Sequence, residues 1–150
     1  MPQSLSNILV HVVFSTKNRE HYLTGPAGTE IHPYLAGVLN NANCPSIQVG
    51  GVSDHVHLFF RQARTTPISE IVETVKVSSS KWIKTKGPQY EAFHWQSGYG
   101  AFSVSQSDAD AVTTYIRNQP EHHRKTTFQD EYRKFLDRHQ IAYDERYVWD

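Results

Sequence analysis

The chain has 150 residues, with 15 Lys plus Arg balanced by 15 Asp plus Glu, and a single cysteine. This length supports one domain, 1–150, with its own core. Zero net charge offers no bulk attraction to a polyanion, and the lone Cys44 excludes an intrachain disulfide or a thiolate zinc cluster. No apolar run reaches the length of a membrane span and Met-Pro-Gln-Ser has no signal-peptide character, so a soluble, cytoplasmic protein without a membrane partner is expected.

In chain order, Ile8 to Phe14 is β-branched and apolar and reads as a first strand, left through the polar, basic loop Ser15-Thr16-Lys17-Asn18-Arg19. Ile31, Tyr34, Leu35, Val38 and Leu39 recur at helical spacing, with Pro33 expected in the first turn and fraying near Asn40-Asn41. Ile47 to Val52 is a second strand. It turns through Ser53-Asp54 into a third, Asp54-His55-Val56-His57-Leu58-Phe59-Phe60. Thr66-Pro67 supplies a hydroxyl cap and a proline at the first helical position. Ile68, Ile71, Val72, Val75, Trp82 and Ile83 then form one stripe, with Lys76, Lys81 and Lys84 largely off it and a stop at Gly87-Pro88. The aromatic and glycine-containing loop from Phe93 to Tyr99 is either a stacking surface for bases or a hydrophobic plug.

Phe102 and Val104 mark a fourth strand. The order strand, helix, strand, strand, helix, strand predicts an α+β, ferredoxin-like split βαβ fold, an antiparallel sheet with both helices on one face. A helix capped by Ser107 or Asp108 follows, running through Ala111, Val112, Tyr115 and Ile116 and kinking or ending at Pro120. Another begins near Thr127 with Phe128, Tyr132, Phe135 and Leu136 on one side. The aromatic tail, Ile141 to Trp149, is expected to pack on the domain or on a partner subunit.

Strand periodicity puts His55, His57 and Phe59 on one face of the third strand and Val56, Leu58 and Phe60 on the other. The second set belongs to a core. The first carries two imidazoles spaced to reach one divalent ion, although two ligands do not make a site and core or surface histidines give the same pattern. Tyr115 and Gln119, four residues apart, share a helix face. From Arg61 to Tyr90 the bases Arg61, Arg64, Lys76, Lys81, Lys84 and Lys86 outnumber Glu70 and Glu73. Such a strip suits a nucleic-acid track or a solvated helix face. His11, His21, His32, His94 and His139 lack a comparable pairing and read as structural or surface residues.

Asp-His-Val-His-Leu at 54–58, Tyr-Ile-Arg-Asn-Gln at 115–119 and Trp-Gln-Ser-Gly-Tyr at 95–99 together resemble the single-tyrosine HUH transposases. These are the small transposases of the insertion sequence two-hundred type and their REP-associated domesticated relatives. The resemblance covers a core of about 5–120, leaving 121–150 as a C-terminal extension. It implies a nucleoid-associated endonuclease and strand transferase acting on single-stranded DNA, with hairpins as the expected substrate class. It further implies Mg²⁺ or Mn²⁺ held by His55, His57 and Gln119, and Tyr115 as the nucleophile that forms a 5′-phosphotyrosine. Family members work as homodimers in which the tyrosine helix of one subunit completes the site of the other, an exchange that Ser105-Gln106-Ser107 would permit. Pro120 directly follows Gln119, and His122, His123 or Glu121 are the alternatives for its place. Lys17, Arg19, Arg61, Lys81, Lys84 and Arg117 are the expected phosphate contacts, chosen by charge and location. The competing reading is a non-catalytic, hairpin-binding descendant, against which the intact His55, His57 and Tyr115 argue. An enzyme of small phosphate esters would be expected to carry a phosphate-cradling glycine loop, and none is evident.

Overall fold

Four runs rich in β-branched and aromatic residues pair into one antiparallel sheet in a computed structural model that describes residues 2–150. The strands are β1 (Leu9–Ser15), β2 (Ser46–Val52), β3 (His55–Arg61) and β4 (Gly100–Val104), in the order β2-β3-β1-β4. Register sets what each face carries. Val12 lies opposite Leu58 and Phe14 opposite Val56, while Val13 lies opposite His57 and Ser15 opposite His55. The ferredoxin-like order expected from the sequence is the observed one.

One face is a continuous apolar core. Val10, Val12, Phe14, Val56, Leu58 and Phe60 pack beneath α1 (Gly25–Asn41) and α2 (Ile68–Lys84). Along α1 the buried positions are Ala27, Ile31, Leu35 and Leu39, an unbroken i,i+4 series. That series explains a departure from expectation: Pro33 lies inside α1, not in its first turn, and Pro26 takes the N-terminal place. An interior proline costs about 3 kcal/mol, and fully burying each Leu or Ile returns about 1.5–3 kcal/mol. Pro33 is itself exposed, so its ring sits on the solvent side of the helix. At the start of α2, Pro67 is the N-cap residue and Thr66 makes no side-chain cap. The amides of Glu70 and Ile71 bond the Pro67 carbonyl instead.

The loop after α2 is a plug. Phe93 and Trp95 are buried edge-to-face with each other and Trp95 with Phe14, and the Trp95 indole donates to Ser79 Oγ at 2.9 Å. Only Tyr99 of this segment's aromatics reaches the surface. Lys76 turns inward, its ammonium donating to the carbonyls of Gln96 (2.7 Å) and Gly98 (2.7 Å) over the Phe14 ring. Burial pushes that ammonium down to about 8.

The opposite sheet face is covered by the rest of the chain: α3 (Ala109–Arg117), α4 (Gln119–His122) and α5 (Phe128–Arg138). Ile116 of α3 packs on Leu9 and Phe59, whereas Phe128, Tyr132 and Leu136 of α5 pack on Val13 and Phe102. Asn118 divides α3 from α4, Pro120 lies in the first turn of α4, and Thr127 caps α5 by accepting from the Asp130 amide. The tail packs on its own domain through Tyr143, Val148 and Trp149, with Tyr147 left exposed. No helix among the described residues is long and apolar enough to cross a membrane.

Two glycines let the covering helices approach the sheet. A Cβ on Gly50 would stand 2.9 Å from both the Ile116 carbonyl oxygen and its Cγ2, and one on Gly100 would stand 2.6 Å from Tyr132 Cε2. Gly50→Ala should therefore lift α3 and lower stability by about 1–3 kcal/mol. Gly37→Ala, where a Cβ meets nothing within 4 Å inside α1, should raise it by about 0.4–1 kcal/mol. Urea midpoints of the two variants check the contrast.

Candidate active site

The period of two that builds β3 places His55 and His57 side by side beneath α3, α4 and α5, and both are fully buried. Their ring centroids are 5.1 Å apart. Each ring is oriented from behind. His55 Nδ1 pairs with Asp54 Oδ1 at 2.7 Å, and His57 Nδ1 pairs with His11 Nε2 at 2.8 Å. Both Nε2 atoms are thereby aimed at one point, the arrangement that fixes the tautomer of metal-binding imidazoles.

At that point three chain segments converge. The Gln119 carboxamide lies against His55, Oε1 to Nε2 at 3.0 Å, while its Nε2 donates to Glu131 Oε2 at 3.1 Å. Glu131, on α5, occupies the centre of the cluster. Its Oε1 is 3.0 Å from His57 Nε2 and 3.5 Å from His55 Nε2. Its Oε2 is 3.2 Å from the Nε2 atoms of both His122 and His123. The Tyr115 hydroxyl donates to Glu131 Oε2 and lies 3.3 Å from His122 Nε2. His123 Nε2 is buried and makes no hydrogen bond.

Electrostatics follow from burial and these contacts. Burial alone would raise the Glu131 carboxyl, but the imidazoles of His123, His55 and His57 outweigh it and hold the group well below the carboxylate range. For His55 burial is likewise opposed, here by Asp54 and Glu131, and the ring is raised to about 9. Burial keeps His57 and His11 below the usual imidazole value. Tyr115 is driven up, first by burial and then by the Glu131 charge, so it rests as the phenol.

This donor set fits a divalent cation. His55, His57, His123 and Glu131 each present a ligand atom, all within 4.8 Å of one another. The Gln119 amide oxygen joins them, and His123 Nε2, 3.2 Å from Glu131 Oε2, makes no hydrogen bond that an ion would have to break.

The structure thus brings together His55, His57, Gln119 and Tyr115. Gln119 begins α4, and Pro120 in the same first turn leaves the Gln119 oxygen beside His55. Of the alternatives to Gln119, Glu121 is exposed and pairs with Arg124, whereas His122 and His123 reach the cluster. Tyr115 meets the histidines of its own chain, 5.8 Å from His57 between ring centroids.

The basic residues divide. A cleft of about 770 Å³ beside Asp54 and His123 is lined by Arg19, Arg124 and Lys125. Another, of about 610 Å³ beside Tyr115, is lined by Lys134 and Arg138. Lys17 is exposed on the same turn as Arg19, and Arg117 is exposed at the end of α3. Arg61 lies at the far end of β3, bonded to Asn7, and Lys81 and Lys84 belong to α2 across the sheet, so these three stand away from the cluster.

Motif and spacing do not single out Glu131 or His11. Glu131 does leave a trace, since it falls within the apolar stripe of Phe128, Tyr132 and Phe135, where a carboxylate needs a reason. His11 stands in the middle of an otherwise apolar strand, facing the same side as His57.

Two solved structures share the fold. One is described as "a putative transposase from Deinococcus radiodurans R1", with a TM-score of 0.62 and 20% identity over 79% of this chain and 98% of that one. The other is a REP-associated tyrosine transposase bound to a REP hairpin, with a TM-score of 0.60 and 12% identity over 82% of this chain and 72% of that one. Comparison with curated proteins finds no match. The profile of the family "Transposase IS200 like" matches residues 4–119, more than three quarters of the sequence, and the chain belongs to that family.

Proposed function

We propose that this transposase cleaves and rejoins single-stranded DNA at hairpin-flanked ends through Tyr115, with Mg²⁺ or Mn²⁺ held by His55, His57 and Gln119. The observation that carries the reading is the convergence of the Tyr115 hydroxyl, two oriented imidazoles and the Gln119 amide on one buried point. A bound ion would supply Lewis-acid neutralisation and orientation of the scissile phosphate.

The remaining chemistry belongs to the chain. The Tyr115 oxygen attacks phosphorus and forms the Tyr–O–P bond. The P–O3′ bond breaks, and the departing 3′-oxygen takes a proton to become a free hydroxyl. The phenolic proton leaves to His122 Nε2, 3.3 Å from the hydroxyl, while Glu131 Oε2, whose carboxyl is held too acidic to keep a proton, orients the hydroxyl as its hydrogen-bond acceptor. A 3′-hydroxyl attacking the phosphotyrosine reverses these steps and restores a phosphodiester without ATP. The two clefts flank the cluster and carry Arg19, Arg124 and Lys125 on one side and Lys134 and Arg138 on the other, which suits a strand crossing between them. Similarity to a structure that holds a REP hairpin favours a hairpin as the recognised element. The site is proposed to act within one subunit, because Tyr115 reaches its own chain's histidines.

Incubation with Mn²⁺ and labelled hairpin oligonucleotides from the gene's own flanks should give a covalent adduct on a denaturing gel. Tyr115→Phe and His57→Ala should abolish it, and an adduct that persists in Tyr115→Phe would refute the assigned nucleophile. Because His11 orients His57 from behind, His11→Phe should weaken Mn²⁺ binding about 10–100-fold, read by calorimetric titration, with the ferredoxin-like sheet intact by circular dichroism.

A further inference from the structure

The family profile ends at residue 119, yet the centre of the cluster is filled from beyond it. Glu131 Oε1 faces the two strand histidines, at 3.0 Å from His57 Nε2 and 3.5 Å from His55 Nε2. Its other oxygen is taken by Tyr115 and by Gln119 at 3.1 Å. Among the described residues no Lys or Arg forms an ion pair with it, and its charged neighbours are imidazoles alone. A buried carboxylate held by titratable imidazoles alone, with no permanent cation beside it, is placed where a metal ion would complete its surroundings. Within 4.8 Å of the same ligand atoms stands His123 Nε2, buried and without a hydrogen-bond partner.

Two imidazoles and one amide are neutral ligands. Hard cations such as Mg²⁺ and Mn²⁺ favour anionic oxygen, and the chain provides one at the right place. We infer that the C-terminal extension completes the metal centre, with Glu131 as its anionic ligand through Oε1 and His123 as a further nitrogen ligand. This rests on the metal site proposed above and adds to it two ligands from outside the family-matched segment. Glu131 would then touch both the ion and the nucleophile, tying the position of Tyr115 to metal occupancy.

The test is Mn²⁺ alone, titrated into the full chain without DNA and followed by loss of the free-ion paramagnetic resonance signal. The unsubstituted protein should bind Mn²⁺, and His57→Ala should not. Glu131→Gln should bind at least tenfold more weakly, Glu131→Asp should recover part of the loss, and exposed Glu121→Gln should match the unsubstituted chain. Should Glu131→Gln fail to fold, as judged by thermal melting in metal-free buffer, His123→Ala carries the test with the same direction of effect. Unchanged Mn²⁺ affinity in the folded Glu131 or His123 variants, with His57→Ala still defective, would overturn the role of the extension alone. That role also falls if Glu131→Gln leaves Mn²⁺ binding intact and tightens binding of a single-stranded oligonucleotide, since the carboxylate would then be standing where a phosphate goes. No Mn²⁺ binding by the unsubstituted chain would overturn the metal site itself.

Discussion

The arrangement of the whole site face depends on one buried carboxylate. Glu131 is nearly inaccessible to solvent, and the partners that hold it come from other parts of the chain: β3, α3 and α4. The apolar contacts on this face do not form one body. Ile116 with Leu9 and Phe59 makes one patch, and Phe128, Tyr132 and Leu136 with Val13 and Phe102 make another. The Glu131 cluster fills the seam between them. A polar network in such a place is costly unless each member finds a partner, and strongly specifying when it does. It fixes where α5 sits relative to α3 more narrowly than apolar contact would.

The two sheet faces therefore divide labour. Beneath α1 and α2 the packing is continuous and apolar, which gives β1 and β3 a rigid bed. On the other side the same strands present His11, His55 and His57 at fixed spacing, so the imidazoles inherit the precision of the ladder. Lys76 and Ser79 of α2 hold the Gln96 segment, and Gln96 in turn accepts from the Ser15 amide at 2.9 Å next to the histidine register. Positioning of the site thus extends through the sheet.

Much of this is legible in the sequence because periodicity reports it directly. The alternation in β3 announces both faces and the element order yields the topology, whereas Tyr115 and Gln119, read as one helix face, sit on two helices because α3 ends at Arg117 and Gln119 opens α4. Pro33 lies deeper in its helix than its residue type suggests, because a strong i,i+4 stripe overrides a local breaker. The Phe93–Tyr99 loop is ambiguous for a different reason: whether an aromatic loop is a platform or a plug is decided by tertiary contacts with Phe14 and Ser79, which leave no local signature. Glu131 and His11 belong to the same class. Their roles arise from pairings across 74 and 46 residues of sequence, and nothing short-range marks them beyond a polar letter in an apolar pattern. The basic residues are the least legible, since charge says nothing about which face a helix presents.

Those long separations also bear on the order in which the molecule is made. The hairpin of β2 and β3 closes over two residues, whereas His55 meets Gln119 across 64, and the Gly98 amide meets the Asp150 carbonyl. Loop-closure entropy and contact order put such distant pairings late in folding. The sheet and its two-helix backing can form while α3 to α5 are still unplaced, so a partly folded or nascent chain has its histidine pair exposed but no tyrosine beside it. Competence for the proposed cleavage is then a property of the finished chain alone, since only there do the histidine pair, Gln119 and Tyr115 stand together.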